Sequence, residues 1–247
     1  YRQSITNLDW MGEETKQKAL TKLSQFTPKV GYPDVWREYN FEVKANDLAG
    51  NVDRATVAET KRHIDRINHP IDPHEWLMNP QTVNAYYHPV LNEIVFPAAI
   101  LHPPFFDADG LPASNFGAIG AVIGHEIGHG FDDQGSRYDG TGNLVNWWTD
   151  EDRERFTERV QGLIDQYDVL APEGLEPSDT VNGSLTVGEN IGDLGGLGIA
   201  WKALNIASDG KVSEDDARAF FTAWAVAWKS KFRAEERRRR LAVDPHS

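Results

Sequence analysis

The segment from Gly120 to Phe131 constrains the fold of this chain more than any other. It reads GAVIGHEIGHGF and places His125, Glu126 and His129 in an otherwise apolar run. On a helix, positions i and i+4 lie on one face, so both imidazoles can reach one ion. Burying such polar side chains without a partner is unfavourable. The segment therefore predicts a buried helix built around a metal site.

The donor set of this motif favours zinc. Two neutral imidazoles and one carboxylate suit Zn²⁺, which in a catalytic site keeps a further position for water. Glu126 follows the first histidine and lies about 100° further round the helix. It is thus placed beside the ligands, where it can take a proton from that water.

The third ligand has to come from elsewhere in the chain. A third histidine six residues after His129 would fall at Gly135, which excludes that pattern. Residues 186–204 read TVGENIGDLGGLGIAWKAL and carry Glu189 and Asp193 four residues apart. Glu189 is the predicted ligand, and Asp193 can accept the outer N–H of a ligating histidine.

The residues that follow these two acids support a close helix contact. Gly196 and Ala200 continue the stripe of Glu189 and Asp193, which suits a helix packed tightly on the glycine-rich histidine helix. The alternative, that both acids are solvated on a surface helix, fits poorly because the flanking residues are apolar all round.

Periodicity along the rest of the chain predicts a mostly helical α+β fold with one small sheet. A capping-box-like start, Ser213-x-x-Asp216, opens the last predicted helix. A hairpin is predicted from two segments of strand composition, 83–87 and 93–96. The predicted helices cover 10–25, 52–68, Ser114 or Asn115 to about 130, 149–168, 187–205 and 214–240, with a short strand at 41–43 and a loop around Pro28, Gly31 and Pro33.

Composition excludes several classes of function. The 247 residues include no cysteine, which rules out disulfides, a thiol nucleophile and cysteine-ligated metal. The formal net charge of -13 argues against a broad nucleic-acid or anionic-membrane surface. Residues 229–240 are locally basic, but arginines at a helix end are usually a solvated face. No apolar run reaches the ~18 residues of a membrane span.

Several motifs together resemble the neprilysin and endothelin-converting-enzyme family of zinc metalloendopeptidases. The resemblance runs in order through nearly the whole chain and implies a thermolysin-like, or gluzincin, catalytic domain. It is carried by WMGEET (10–15), TPKVGYP (27–33), VNAYY (83–87), IVFPAAIL (94–101), HEIGHGFDD (125–133), GENIGDLGGL (188–197) and the closing DPHS.

The resemblance implies a role for each matching residue. His125, His129 and Glu189 are the expected Zn²⁺ ligands, with Glu126 as general base and proton shuttle. Asp193 is expected to orient His125. The remaining implied site residues are Asn84 and Ala85, which hold the substrate backbone, and His246, which stabilises the oxyanion of the tetrahedral intermediate.

An apolar pocket for the residue after the scissile bond is also implied by the resemblance. Ile100, Phe105, Val122 and Trp228 fall at its positions, although plain core packing explains each of them about as well. The expected activity is hydrolysis of small peptides on the amino side of hydrophobic residues. A catalytically silent zinc or peptide-binding module is the alternative, against which the intact Glu126 argues.

The resemblance further implies that residues 1–247 form one catalytic domain of a longer protein. Members of the family have a helical N-terminal domain that packs over the site and limits substrates to small peptides. They also continue past the DPHS motif. The chain lacks the cysteines typical of animal members, so the resemblance is to a bacterial member. An exported or cell-surface location is expected rather than a cytoplasmic one.

Overall fold

The computed structural model describes all residues from 1 to 247, and the chain divides into two compact units. One unit comprises Tyr1–Gly31 and Pro80–Ser247, and the other is Tyr32–Asn79. No helix combines the length and apolar composition needed to cross a bilayer. The helices are α1 (Arg2–Thr6), α2 (Glu13–Ser24), α3 (Leu48–Asp65), α4 (Pro112–Asn115), α5 (Ala121–Gly128), α6 (Asp150–Asp168), α7 (Gly183–Ala207), α8 (Glu214–Ala227) and α9 (Ala234–Val243).

A three-stranded sheet lies in the larger unit. The strands β1 (Thr27–Gly31), β2 (Tyr86–His88) and β3 (Glu93–Pro97) are arranged in the order β1-β3-β2. The central strand β3 is buried along its whole length, which agrees with its apolar composition. It pairs antiparallel with β2, so the predicted hairpin is confirmed, although β2 begins only at Tyr86.

Strand β1 is a feature that the sequence analysis missed. Proline and glycine in this segment predicted a loop, but β1 pairs in parallel with β3, and Pro28 lies opposite Ile94. Proline is tolerated on an edge strand, where its missing N–H can face away from the neighbouring strand. The presence of proline in this segment was therefore not sufficient reason to predict a loop.

The most extensive helix contact joins α5 and α7, and glycines lie at its centre. A Cβ added to Gly196 would lie 2.5 Å from the backbone nitrogen of His125, and one added to Gly124 would lie 2.7 Å from the Cα of Gly196. Neither position has room for a side chain. The predicted tight packing of the two helices is confirmed, and Leu194, on another face of α7, is left 68% exposed.

The predicted helix from Ser114 or Asn115 to about residue 130 differs at its start. It begins earlier, at Pro112, a favourable residue for the first turn, and is widened by a π turn over Phe116–Gly120 before α5. At this turn the backbone N–H of Ile119 donates to the carbonyl of Phe105 outside the helix, at 3.0 Å. This hydrogen bond replaces a regular intrahelical one and accounts for the irregularity.

Two further expectations were wrong. The segment 41–43 is not a strand, because side chains of α3 bind the neighbouring backbone: Arg54 donates to the carbonyl of Glu42, and Asn51 bonds both backbone groups of Lys44. The helix expected over 214–240 is two helices, α8 and α9. A new helix start near residue 234 is favoured by the two acids in its first turn.

Capping and a buried carboxylate fix the positions of several helices. The predicted capping box at the start of α8 is confirmed, with Ser213 and Asp216 bonded in both directions. Asp152, 2% exposed on α6, accepts hydrogen bonds from the Gly12 backbone and from the hydroxyls of Thr15 and Thr149. It thereby ties the N-terminal end of α2 to α6.

Candidate metal centre

Helices α5 and α7 bring the three predicted ligands together. The Nε2 atoms of His125 and His129 lie 3.2 Å and 3.5 Å from Oε2 of Glu189. Ligand atoms from all three residues lie within 4.8 Å of one another. The histidines share one face because of their spacing on α5, and the glycine contact between the helices brings Glu189 to that face.

The three side chains fit a tetrahedral metal ion. Ligands at about 2.1 Å from a zinc ion in tetrahedral geometry lie about 3.4 Å apart, close to the observed separations. Oε2 of Glu189 is buried and accepts no hydrogen bond of acceptable geometry, although ring nitrogens of three histidines lie within 3.5 Å of it. A buried carboxylate oxygen without a hydrogen bond is costly unless a cation is bound to it. The donor set is that of a His₂Glu metal site.

His125 is oriented by a carboxylate on another helix. Its Nδ1 lies 2.8 Å from Oδ1 of Asp193, one turn after Glu189 on α7. This contact fixes the proton on Nδ1 and leaves Nε2 as the atom that faces the ligand cluster. Asp193 thus occupies the place that the sequence analysis gave it.

His129 is oriented by an acid that the sequence analysis did not single out. Its Nδ1 lies 2.8 Å from Oδ2 of Asp132, while Oδ1 of Asp132 accepts hydrogen bonds from the backbone N–H groups of Gln134 and Gly135. The available signal was an acid three residues after the second histidine, a spacing at which side chains can meet.

The acids around the histidines favour positive charge at the cluster. Burial lowers the pKa of His125, but the carboxylates of Asp193 and Glu189 outweigh it and raise that pKa to about 9. In the same way, Asp132 and Glu189 raise the pKa of His129 to about 10 against the effect of burial. Burial would raise the pKa of Glu189, but the two histidines hold it well below its usual range. A metal cation bound at the ring nitrogens would be stabilised by the same negative carboxylates.

Glu126 lies beside the ligands in a buried position. Glu126 is only 6% exposed, and it is not one of the three clustered ligands. Burial raises the pKa of the Glu126 carboxyl, which His129 and His125 oppose. A buried carboxyl group next to a metal site can hold or release a proton during a reaction.

The structure also brings His246 to the centre. Its Nε2 lies 3.3 Å from Oε2 of Glu189, and its Nδ1 lies 2.8 Å from Oδ1 of Asp244. The imidazole is more than half exposed, in contrast to those of the two ligand histidines. Nothing in the composition of this polar segment would have placed it there. The match to the DPHS motif was the one signal available.

The predicted substrate-binding residues lie next to the edge strand β2. Asn84 is exposed and Ala85 is buried, and both immediately precede this strand. β2 lies at the edge of the sheet, next to β3. An extended peptide can add to an edge strand through main-chain hydrogen bonds.

The four predicted pocket residues fall into one apolar region. Ile100 and Val122 are buried in a cluster with Ala85, and Phe105 packs against that cluster. Trp228 is 47% exposed and meets the ring of Phe105 edge-on, at 5.7 Å between centroids. The structure therefore brings the four together. Their role as a pocket stays a prediction.

Comparison with known proteins decides the family. A model described as "Peptidase family M13" matches residues 84–247, and a second model of the same family matches residues 1–33. The chain belongs to peptidase family M13. This confirms the neprilysin-family resemblance and, with it, the α+β gluzincin fold and a metal-dependent site.

Related M13 proteins come from bacteria and animals. The chain is 38% identical to a neutral endopeptidase of Lactococcus lactis and 35% identical to Neprilysin-3 of Drosophila melanogaster, in both cases over its full length. It covers only 38% and 33% of those two proteins. The chain thus spans about a third of the length of these curated relatives.

Solved structures agree with the family assignment. The inhibitor complex of the Mycobacterium tuberculosis zinc metalloprotease Zmp1 is 53% identical, with a TM-score of 0.95. PepO from Lactobacillus rhamnosis is 36% identical, with a TM-score of 0.90. Both comparisons cover all of this chain, and they cover 39% and 38% of those two chains.

Proposed function

We propose that this M13 chain carries the catalytic centre of a zinc-dependent endopeptidase. The observation that carries the proposal is the cluster of His125, His129 and Glu189 around a buried oxygen without a hydrogen bond, with Glu126 beside it. A site that only bound metal or peptide would not need a buried carboxyl group next to its ligands, which argues against a catalytically silent zinc or peptide-binding module.

Zinc is the proposed ion because of its ligands. His₂Glu is a set used by catalytic zinc, and no cysteine is present to form a closed structural site. Bound there, zinc would lower the pKa of water and polarise a peptide carbonyl as a Lewis acid. The similar structure named a zinc metalloprotease supports this choice.

Residues of this chain provide proton transfer, substrate alignment and stabilisation of the developing charge. Glu126 takes the proton of the attacking water and delivers it to the departing amine nitrogen. The edge strand β2, together with Asn84 and Ala85 just before it, aligns the substrate as an added strand. His246 donates from Nε2 to the carbonyl oxygen as negative charge develops there, an interaction typically worth about 10²–10³ in rate.

The proposed substrates are small peptides cleaved on the amino side of a hydrophobic residue. The apolar region of Ile100, Phe105, Val122 and Trp228 supports this preference. In a protein of the relatives' length, we expect chain beyond these residues to pack over the site and limit the size of the substrate. No nucleic-acid partner is proposed, and we expect an exported or cell-surface location.

The decisive test is the substitution Glu126→Gln in the full-length protein. The amide keeps the size of the side chain but cannot act as a base, so we expect unchanged zinc content and a loss of peptidase activity of about 10²–10⁴-fold. Zinc is measured by mass spectrometry, and activity with a quenched peptide that has a hydrophobic residue after the scissile bond.

The matched control is Glu158→Gln, an exposed glutamate on α6 that should cleave at the parent rate. A second peptide, with a charged residue in place of the hydrophobic one, tests the proposed preference. Full turnover by Glu126→Gln would contradict the assignment of the base. Equal cleavage of both peptides would contradict the substrate preference alone.

A further inference from the structure

Helix α9 presents four consecutive arginines, each of which binds a group of this chain. Arg237 donates to the carbonyl of Glu173, Arg238 pairs with Asp179, and Arg239 pairs with Glu236. These three contacts lie away from the residues of the metal centre. Arg240 differs from its neighbours because its partner, Asp244, contacts His246.

Asp244 uses both of its carboxylate oxygens. Oδ2 lies 2.8 Å from Nη2 of Arg240. Oδ1 lies 2.8 Å from Nδ1 of His246 and also accepts the backbone N–H of His246, at 3.0 Å. Its own backbone N–H donates to the carbonyl of Arg240, at 2.8 Å. The carboxylate thus links the end of α9 to both the backbone and the ring of His246.

The guanidinium of Arg240 is held on its other side by an aromatic ring. It lies 4.6 Å from the centroid of Phe232, within the range of a cation–π contact. The Arg240 side chain is 33% exposed, and that of Asp244 is 19% exposed. A continuous set of contacts therefore runs from Phe232 through Arg240 and Asp244 to the imidazole.

His246 needs such support more than the two ligand histidines do. The side chains of His125, in α5, and His129, at its C-terminal end, are only 11% and 19% exposed, whereas His246 lies in an irregular segment after α9 with its ring 58% exposed. On the far side of His246 the segment is held by Ser247, whose hydroxyl donates to Oδ1 of Asn190 on α7. Arg240 supplies the corresponding support on the near side.

We propose that Arg240 is a positioning residue for His246, acting through Asp244. By holding the carboxylate of Asp244, it keeps the Nδ1–H of His246 bonded to Oδ1 and so turns the Nε2–H, which donates to the substrate oxygen, towards the ligand cluster. Without the guanidinium, Asp244 has one partner fewer to fix its rotamer, and the exposed imidazole can turn away. This inference rests on the proposed peptidase function, in which His246 stabilises charge on the substrate oxygen.

The test compares Arg240→Gln with Arg239→Gln, a matched control one residue earlier on α9, in the full-length protein. We expect Arg240→Gln to lower kcat about tenfold, in the range seen for lost outer-shell partners, with KM changed less than about twofold. Arg239→Gln should leave both unchanged. Arg240→Lys retains the charge and should recover most of the lost kcat.

Two measurements separate positioning from a general structural role. In a His246→Ala background, Arg240→Gln should have no further effect on kcat, because the residue through which it acts is gone. In protein with ¹⁵N-labelled histidine, which reports the tautomer and protonation of the ring, Nδ1 of His246 should be protonated in the parent and only partly protonated in Arg240→Gln. The second measurement needs neither zinc nor turnover.

The outcomes separate this inference from the proposed function. An active parent in which Arg240→Gln matches Arg239→Gln, or keeps its effect without His246, overturns the role of Arg240 alone. A parent with bound zinc and no peptidase activity overturns the proposed function, and the tautomer measurement then still tests the contact. If Arg240→Gln lowers the midpoint of thermal unfolding, the His246 ring is also measured in Arg240→Lys. Nδ1 protonation unchanged from the parent in that variant supports positioning.

Discussion

His125 lies in α5 and His129 caps the C-terminal end of the same helix, and the two are oriented in different ways. The Nδ1 atom of each ring lies 2.8 Å from a carboxylate oxygen. For His129 the carboxylate is Asp132, three residues further along the chain, with a side chain 7% exposed. For His125 it is Asp193, 68 residues away on α7, with a side chain 42% exposed.

This difference separates a local contact from a tertiary one. The contact to Asp132 forms whenever α5 and the loop after it form, and it is reinforced by two backbone N–H groups. The contact to Asp193 forms only when α7 has packed on α5. Because Glu189 is on α7 as well, the metal centre depends on that packing twice, and substitutions can separate the two contributions.

The largest expected loss of metal affinity comes from Gly196→Ala. The new methyl group would collide with the backbone of His125 and move α7, which carries both Glu189 and Asp193. We expect zinc affinity to fall by more than the ~10–100-fold of a single outer-shell loss. The free energy of unfolding should fall by about 3 kcal/mol. Zinc titration and denaturant unfolding measure the two effects.

Gly198→Ala is the control for that substitution. A Cβ at this position meets nothing within 4 Å, and the residue is exposed in the same helix. Alanine should raise the free energy of unfolding by up to about 1 kcal/mol and leave zinc affinity unchanged. If Gly196→Ala bound zinc as tightly as Gly198→Ala, close packing of the helices would not be what positions α7.

The next largest effect is expected for Asp132→Ala. Zinc affinity should fall about 10–100-fold because His129 loses its orienting acceptor. The free energy of unfolding should fall by about 2–4 kcal/mol, since the N–H groups of Gln134 and Gly135 lose theirs as well. Asp132→Asn retains an acceptor for those groups, so it should recover stability more than zinc affinity.

A smaller total effect is expected for Asp193→Ala. Zinc affinity should again fall about 10–100-fold. The free energy of unfolding should change by less than about 1 kcal/mol, because this exposed carboxylate has no hydrogen bond to the backbone. The same unfolding and titration measurements apply. A stability loss equal to that of Asp132→Ala would contradict the distinction between the local and the tertiary contact.

The smallest effect on zinc is expected for Asp152→Asn, which removes a buried carboxylate remote from the ligands. Burial raises the pKa of Asp152, but hydrogen bonds from Thr15, Gly12 and Thr149 outweigh it and hold that pKa below its usual value. Near pH 7, unfolding should become easier by about 2–3 kcal/mol, with unchanged zinc affinity.

The pH dependence of this last variant follows from the sign of the shift. A carboxylate with a lowered pKa stabilises the fold above its unfolded-state pKa of about 3.9 and loses that contribution as pH falls through its folded-state pKa. The difference in unfolding free energy between parent and variant should therefore be constant near neutrality and shrink below about pH 4. A difference that grew on acidification would contradict the assignment.

The sequence predicted the parts of this molecule that depend on periodicity. The spacing of His125 and His129, and of Glu189 and Asp193, follows from the helical repeat, and the small residues of α7 indicated close packing. The position of β1 could not be predicted in this way, because a strand that contains proline is recognised only through its partner. Asp132 was missed although its contact is local, because residues 129–132 form a turn and a bend, in which no helical repeat fixes the direction of a side chain.

The π turn before α5 has one more consequence. The amide group that it releases at Ile119 is bonded to the carbonyl of Phe105, so a residue of the predicted apolar pocket is fastened to the rod that carries the metal ligands. In the proposed peptidase, the apolar pocket and the metal ligands would therefore move together as one rigid unit. A one-residue deletion that restored a regular helix would then change which peptides are accepted, although every residue of the predicted pocket would be retained.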